Sequence, residues 1–403
     1  MIYSKIVEGV AHILKKGYTI FQFQRISFIE YMNIFLYVYA VFFIRGRHMP
    51  FYQKIDPKKE SDKRTLERLL LLRKALEDIP ERTQKKTLLL ATWNIREFDS
   101  PKYEKRMDEA IYYLAEIIDR FDLVAVQEVN KDLCGLERLM EILGGEWKYI
   151  FTDTTEGSQG NKERMAFLYD SRKVTFGGLA GEIVLPAVDG KPVTQLARTP
   201  FICGFRSGWT KFMLATVHIL WGGEKANPVA RVNEIRQIAQ FLKTRTLDKT
   251  AWARNLILLG DFNIFAPDND TFKGLLNAEF IVPEQLQKLP SNALKNRHYD
   301  QIAFRTREGS LDRTGNAGVF DFFRIVYRDD DETSYVSNMP IYKDQKSCYE
   351  YDDDGKERSP LGKTRYYREW RTHQMSDHFP MWVELKIDYS DEYLKDKLAK
   401  QPS

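Results

Sequence analysis

Leu256-Ile257-Leu258-Leu259-Gly260-Asp261-Phe262-Asn263 reads as a fully apolar strand that breaks into a glycine, a carboxylate and an amide. A short continuous apolar run with such an ending suits a strand buried on both faces. Four other segments share the design: Thr92-Trp93-Asn94-Ile95-Arg96 after Leu88-Leu89-Leu90-Ala91, Val126-Gln127-Glu128-Val129, Thr216-Val217-His218, and Ser376-Asp377-His378-Phe379-Pro380. Each places a carboxylate, amide or imidazole at the end of an apolar run, so the polar groups are expected to gather where several strands end together. Such a gathering suits a divalent metal and a phosphate.

Working outward, strand-like runs are expected at Thr87–Trp93, Asp122–Gln127, Arg164–Tyr169, Phe212–His218, Leu256–Asp261, Asp300–Phe304, Val319–Tyr327 and Phe379–Ile387. Helices are expected at Tyr103–Asp119 and Ala230–Thr244, and the leucine spacing from Ser61 to Asp78 predicts an amphipathic helix that stops at Pro80. Many strands follow one another without a helix between them, which fits two packed sheets with outer helices better than a doubly wound sheet. Asp329 to Arg371 reads as a long irregular insertion before the last motif. The expected organisation is an N-terminal segment 1–48, a helix and linker 49–85, a domain 86–390 carrying insertion 329–371, and a tail 391–403.

With 403 residues, 43% hydrophobic and 29% charged, the chain can build one large domain or two small ones. Its 61 basic and 57 acidic residues leave a net charge of +4, too even a balance to mark a nucleic-acid binder by charge alone. Cys134, Cys203 and Cys348 are odd in number and lack metal-type spacing. That argues against a disulfide framework and a thiolate zinc site, and points to a reducing, cytoplasmic setting. Phe28 to Ile44 is strongly apolar and aromatic, with basic residues on both sides. It is slightly short for a bilayer span, which needs roughly 20 apolar residues. Three readings stay open: a true start at Met49, a membrane anchor, or a buried or docking helix.

Oxygen and amide ligands on strand ends suit magnesium or manganese, with calcium a further option. Glu128 is the best single metal ligand. Asp261 and Asn263 alternate, so both point to one side of an extended segment. Asp377-His378 sets a carboxylate beside an imidazole, the side chain best suited to move a proton near neutral pH. Of six histidines, only His218 and His378 sit at strand ends beside other candidate groups.

Read in order, these segments, together with Lys162-Glu163-Arg164, Leu196-Ala197-Arg198-Thr199-Pro200 and Tyr299-Asp300-Gln301-Ile302, resemble the endonuclease/exonuclease/phosphatase superfamily, nearest to its deoxyribonuclease I-like branch. The resemblance runs from about Thr87 to about Ile387. It implies an α/β fold, a four-layered α/β/β/α sandwich of two mixed, mainly antiparallel sheets with outer helices. It also implies a divalent-metal phosphoesterase site in which Asn94 and Glu128 hold the metal with Asp377 close by. Asp261 and Asn263 would orient water and phosphate oxygens or hold a second metal. His218 with Glu163 and His378 with Asp300 would flank the scissile phosphate, and Arg96 and Arg198 would grip its oxygens.

The branch carries an arginine after the Glu-Val pair and a tyrosine before the Lys-Glu-Arg motif, both for minor-groove docking, where this chain has Asn130 and Asn161. Lys363, Arg365, Arg368 and Arg371 interleave with Tyr366, Tyr367 and Trp370, a composition suited to backbone neutralisation and base stacking, or to aromatics packing on the domain. The leading expectation is an endonuclease acting on a nucleic-acid backbone. The alternatives are a phosphoesterase for a phospholipid or inositol-type phosphate, which a membrane anchor would favour, and a catalytically silent binding module.

Overall fold

The computed structural model describes residues 50–98, 100, 105–156, 161–307, 309–342 and 345–399. The chain divides into two units, Met1–Met49 and Pro50–Ser403, and all the described residues fall in the second. The apolar segment Phe28–Ile44 lies outside them. Among the described residues no helix is long and apolar enough to cross a membrane.

Two sheets face each other. The first has strand order β10-β11-β1-β2-β4-β3, with β1 Thr87–Phe98, β2 Leu123–Val129, β3 Trp147–Phe151, β4 Arg164–Asp170, β10 Arg313–Val319 and β11 Met381–Lys386. The second has order β5-β6-β7-β8-β9, with β5 Thr175–Glu182, β6 Phe201–Ser207, β7 Thr210–His218, β8 Asn255–Asp261 and β9 Asp300–Arg305. Each sheet contains one parallel pair, β1 with β2 and β7 with β8, and the remaining pairs are antiparallel. A helix crosses over within each parallel pair, α2 Asp108–Asp119 in the first sheet and α4 Val229–Leu247 in the second, as a parallel connection requires. Helix α1 Glu60–Ala75, α2 and α3 Cys134–Leu143 bury Leu69, Leu72, Ile111, Ile118, Leu136 and Leu139 in the core that also takes Leu89, Ala91 and Trp93 of β1. Helix α4 and α5 Asp270–Asn277 bury Ile235, Ile238, Leu242 and Phe272 with the second sheet. The result is the expected four-layered α/β/β/α sandwich.

Strand alternation decides which side chains meet between the sheets. On β1, Leu88 and Leu90 join the core shared with the second sheet, while Leu89, Ala91, Trp93 and Ile95 face the helices. Thr92 and Asn94 therefore continue the inter-sheet row. Both parallel pairs end at the same edge of the sandwich, and β4 and β9, antiparallel to β2 and β8, begin there. Six motif-bearing strand ends are brought to one rim by topology alone.

Two expectations need correction. Val319–Tyr327 is not a strand: the strand lies just before it, at 313–319, and Phe322–Arg324 forms a 3₁₀ turn whose aromatics are buried against Trp93 and Phe379. The run is apolar because it packs under the first sheet. Nor is 329–371 irregular throughout. It contains a short helix at Glu332–Tyr335, and a 15-residue helix, Pro360–Gln374, covers the stretch that reads as a basic aromatic loop. Ser359 caps that helix by accepting from Gly362 N–H, and Pro360 fits its first turn. Tyr367 and Trp370 are fully or nearly buried against Tyr327 and Tyr335, so they are not available to stack on bases. Arg368 and Arg371 pair with Asp329, and Lys363 pairs with Glu350.

Candidate active site

Asp261 Oδ2 is the centre of a buried polar cluster. It accepts from Asn94 Nδ2 at 3.0 Å and faces the Nε2 atoms of His218 at 3.5 Å and His378 at 3.8 Å. The strands dictate this: His218 is the register partner of Asp261 in the parallel β7/β8 pair, and Asp300 is its partner in the antiparallel β8/β9 pair. Gly260, with φ +133, makes the approach possible, because a Cβ there would stand 2.1 Å from Val217 O. Asp261 Oδ1 accepts from the backbone of Asn263, whose own φ of +52 closes the turn, and Asn263 Nδ2 donates to Ile219 O at 2.7 Å. Asn263 therefore lies in a turn beyond β8 rather than on the extended segment that the alternation with Asp261 suggested, and the Asp261 side chain caps that turn.

Each imidazole has a carboxylate behind it. His378 Nδ1 lies 2.8 Å from Asp300 Oδ2 in a well-formed hydrogen bond. His218 Nδ1 lies 2.6 Å from Glu163 Oε1, close enough for an ion pair but outside the angle a ring N–H hydrogen bond requires. Arg198 Nε meets the same Glu163 oxygen, and Arg198 is itself 6% exposed. The arginine therefore stands behind the His218 pair, and its Nη1 is buried with no hydrogen-bond partner among the described residues. Burial works against both imidazolium ions, but Asp300 and Asp261 hold His378 well above its ordinary pKa, and Glu163 with Asp261 raises His218. Burial would lift Asp261 too, yet His378, His218 and the bonds from Asn263 and Asn94 keep it below the usual carboxylate range. For Asp300, burial prevails over His378 and raises the carboxyl.

Glu128 reaches the cluster through a distortion. Strict alternation on β2 would send it to the helix side with Val124 and Val126. A register shift between Val126 and Val129 and a φ of +60 at Glu128 turn it back. Its Oε1 accepts from Asn94 Nδ2 at 2.9 Å and its Oε2 from Glu97 N–H at 2.7 Å. Burial raises its pKa despite His218. Asn94 spends its amide N–H groups on Glu128 and Asp261, which leaves its Oδ1 buried and without a hydrogen-bond partner among the described residues. A buried amide oxygen beside a carboxylate whose charge is disfavoured fits a hard divalent cation. Two groups of donor atoms lie close enough to share one ion, Glu128-Glu163-His218 and Asp261-Asp300-His378. Each includes one histidine dyad, and of the motif-derived ligand set of Asn94, Glu128 and Asp377 only Glu128 belongs to either group.

Asp377 and Arg96 lie at the rim. Asp377 has 42% of its side chain exposed, and its Oδ2 is 3.9 Å from Arg96 Nε. Arg96 is held from the Pro360–Gln374 helix by Thr372 Oγ1 and by Glu369 Oε1 at 2.8 Å. Reading the motifs passed over Ser376 and Gln127. The Ser376 hydroxyl donates to Asn94 O at 2.6 Å and accepts from Arg96 N–H and His378 N–H, which ties the end of β1 to the histidine loop. Gln127 donates to Thr92 and Thr216 and so links the two sheets directly below the cluster. Both sit inside quoted motifs, and being polar residues next to a candidate site carboxylate was their only signal.

The layers and this rim define the class: a four-layered α/β/β/α sandwich with acid, amide and imidazole groups at the joined ends of its two parallel strand pairs. The resemblance of the motif string to the endonuclease/exonuclease/phosphatase superfamily thus extends to the architecture. A curated deoxyribonuclease from Thioalkalivibrio sp. is 29% identical over 243 residues, which cover 58% of this chain and 62% of that relative's length. Solved structures that are similar include the catalytic domain of human Nocturnin with bound sulfate (14% identity, TM-score 0.46, covering 74% of this chain and 94% of that one). They also include D. rerio TDP2 with a single-strand DNA product (15%, 0.45, 74% and 98%). A mannosyl-6-phosphatase from Bacteroides thetaiotaomicron is a third (16%, 0.42, 74% and 99%). No family model matches the chain.

Proposed function

We propose that this chain is a divalent-metal-dependent phosphodiesterase that cuts a nucleic-acid backbone as an endonuclease. The observation that carries the reading is the pair of imidazoles turned on one carboxylate oxygen, each with a carboxylate at its back. One such dyad can orient a base; two on opposite sides of a phosphate can move a proton in and a proton out. In this reading His218 takes a proton from the attacking water, whose oxygen forms the new bond to phosphorus. His378, held as the imidazolium, protonates the leaving oxygen as its bond to phosphorus breaks. Asp261 and Asn263 orient the water and the phosphate oxygens, Arg96 at the rim offers a cationic donor to the phosphoryl group, and Arg198, which the motif resemblance casts in the same role, instead holds Glu163 behind His218. Magnesium or manganese held by Glu128 and Asn94, with Asp377 at the rim, would neutralise charge on the phosphoryl oxygens. The relative named a deoxyribonuclease supports a hydrolase, and a nuclease within that class.

The test is hydrolysis of supercoiled plasmid, single-stranded DNA and single-stranded RNA with magnesium or manganese, beside chelator and a His378→Asn variant. Cleavage lost in both controls is expected. No cleavage of any of the three by the full chain overturns the reading.

A further inference from the structure

The wall beside His378 is aromatic and is built from three separate loops. Tyr299 packs against the His378 ring at a 31° tilt with centroids 5.3 Å apart. Trp221 meets Tyr299 edge-on at 5.7 Å, and Phe265 packs on both, 5.4 Å from Trp221 and 6.0 Å from Tyr299. Phe265 is buried, whereas Trp221 and Tyr299 keep part of their surface open. These are the residues just after His218, just after Asn263 and just before Asp300, so the strand ends that make the polar cluster also make the wall.

Arg231 anchors it. This side chain is fully buried in α4 and lies 5.0 Å from the ring centroids of both Trp221 and Phe265. It donates to the carbonyls of Leu220, Gly223 and Lys225, and so fixes the turn that holds Trp221 in place, where Gly222 and Gly223 have φ of +63 and +95. Burying a guanidinium is costly, and a loop that only had to close could be held without it. Arg297 lays a second guanidinium over Phe265 at 4.3 Å and is partly open to solvent. Held aromatic rings with cations beside them, adjoining a phosphate site, match a base next to an anionic backbone.

We infer that Trp221 and Tyr299 form a stacking subsite for one unpaired nucleobase flanking the scissile phosphate, which makes single-stranded nucleic acid the substrate class. The inference rests on the nuclease reading of the same site. A base inside a duplex already has both faces covered by its neighbours, so it reaches this wall only when it is unpaired.

The experiment compares two strands of equal length and charge, oligothymidylate and a fully abasic tetrahydrofuran oligomer, as substrates of the full chain with manganese. The wild type is expected to show a roughly tenfold lower KM for the base-bearing strand, with kcat within about twofold, in line with stacking energies per base. Trp221→Ala should lose that preference and Trp221→Phe should keep most of it. Quenching of tryptophan fluorescence by oligothymidylate, in the wild type and reduced in Trp221→Phe, gives a second readout on a variant that retains an aromatic ring. Equal KM for the two strands in the wild type overturns the inference while leaving the nuclease reading intact, as does an unchanged preference in Trp221→Ala. Cleavage of neither strand overturns the inference, and it overturns the nuclease reading as well only if plasmid and single-stranded RNA are also left uncut.

Discussion

Asp261 is the residue on which the cluster turns, because one of its oxygens meets an amide and two imidazoles. Its neighbour across the sheet, Asp300, has a narrower role, holding His378 by a single 2.8 Å bond and keeping the imidazolium favoured against burial. Asp300→Asn removes the negative charge, so the His378 pKa falls and the imidazolium is lost at lower pH. The expected pH–rate profile has its alkaline limb moved to lower pH, with kcat down by roughly 10²- to 10⁴-fold; an unmoved limb would show that His378 is not the proton donor. Much of this was legible in the residues, since Asn94, Glu128, His218, Asp261 and His378 all stand at the ends of apolar runs. What could not be read was direction. Nothing in Val-Gln-Glu-Val announces the positive φ that turns Glu128 inward, and nothing in Leu-Ala-Arg shows that Arg198 meets Glu163.

Elements carry these residues, and two of them make separate predictions. The β8 end is tight against β7, so Gly260→Ala forces a Cβ into Val217 O on a backbone that only glycine adopts readily. A loss of at least about 1–3 kcal/mol is expected from overpacking, read as a lowered denaturation midpoint; an unchanged midpoint would mean that the two strands can part there freely. The Pro360–Gln374 helix reaches across to Arg96 through Thr372 and Glu369. Glu369→Gln should loosen that guanidinium and raise KM several-fold while kcat changes little, measured on any cleaved strand. This helix was hidden because its Lys, Arg, Tyr and Trp residues also suit a nucleic-acid-binding loop. Its Ser359-Pro360 start was the available signal. The strand at 313–319 was missed for the opposite reason: Arg313-Thr314-Gly315-Asn316-Ala317-Gly318-Val319 is polar and glycine-rich, as an edge strand is free to be.

At the scale of the whole molecule, the layering followed from the spacing of strands without helices between them, and the two parallel pairs explain why so many distant motifs meet. Away from that rim, Arg82 joins the linker before β1 to Asp119, Asp122 and Asp170. Burial pushes the Asp119 carboxyl up to about 7 against the pull of Arg82. An unfolded aspartate releases its proton near ~3.9, so between those values the folded chain binds more protons than the unfolded one. Stability contributed by this group therefore declines as pH rises from about 4 to about 7. Asp119→Asn should flatten that decline in a pH series of denaturation midpoints, and an identical series in the variant would remove the role.

The proposed hydrolytic centre would need both a cation and its imidazole pair. The most direct measurement is phosphodiester cleavage by the full chain titrated with magnesium, run in parallel on Glu128→Gln. Saturable, chelator-sensitive turnover in the wild type that falls at least roughly a hundredfold in the variant is the predicted result. Turnover that persists in chelator, or that Glu128→Gln leaves unchanged, would contradict it.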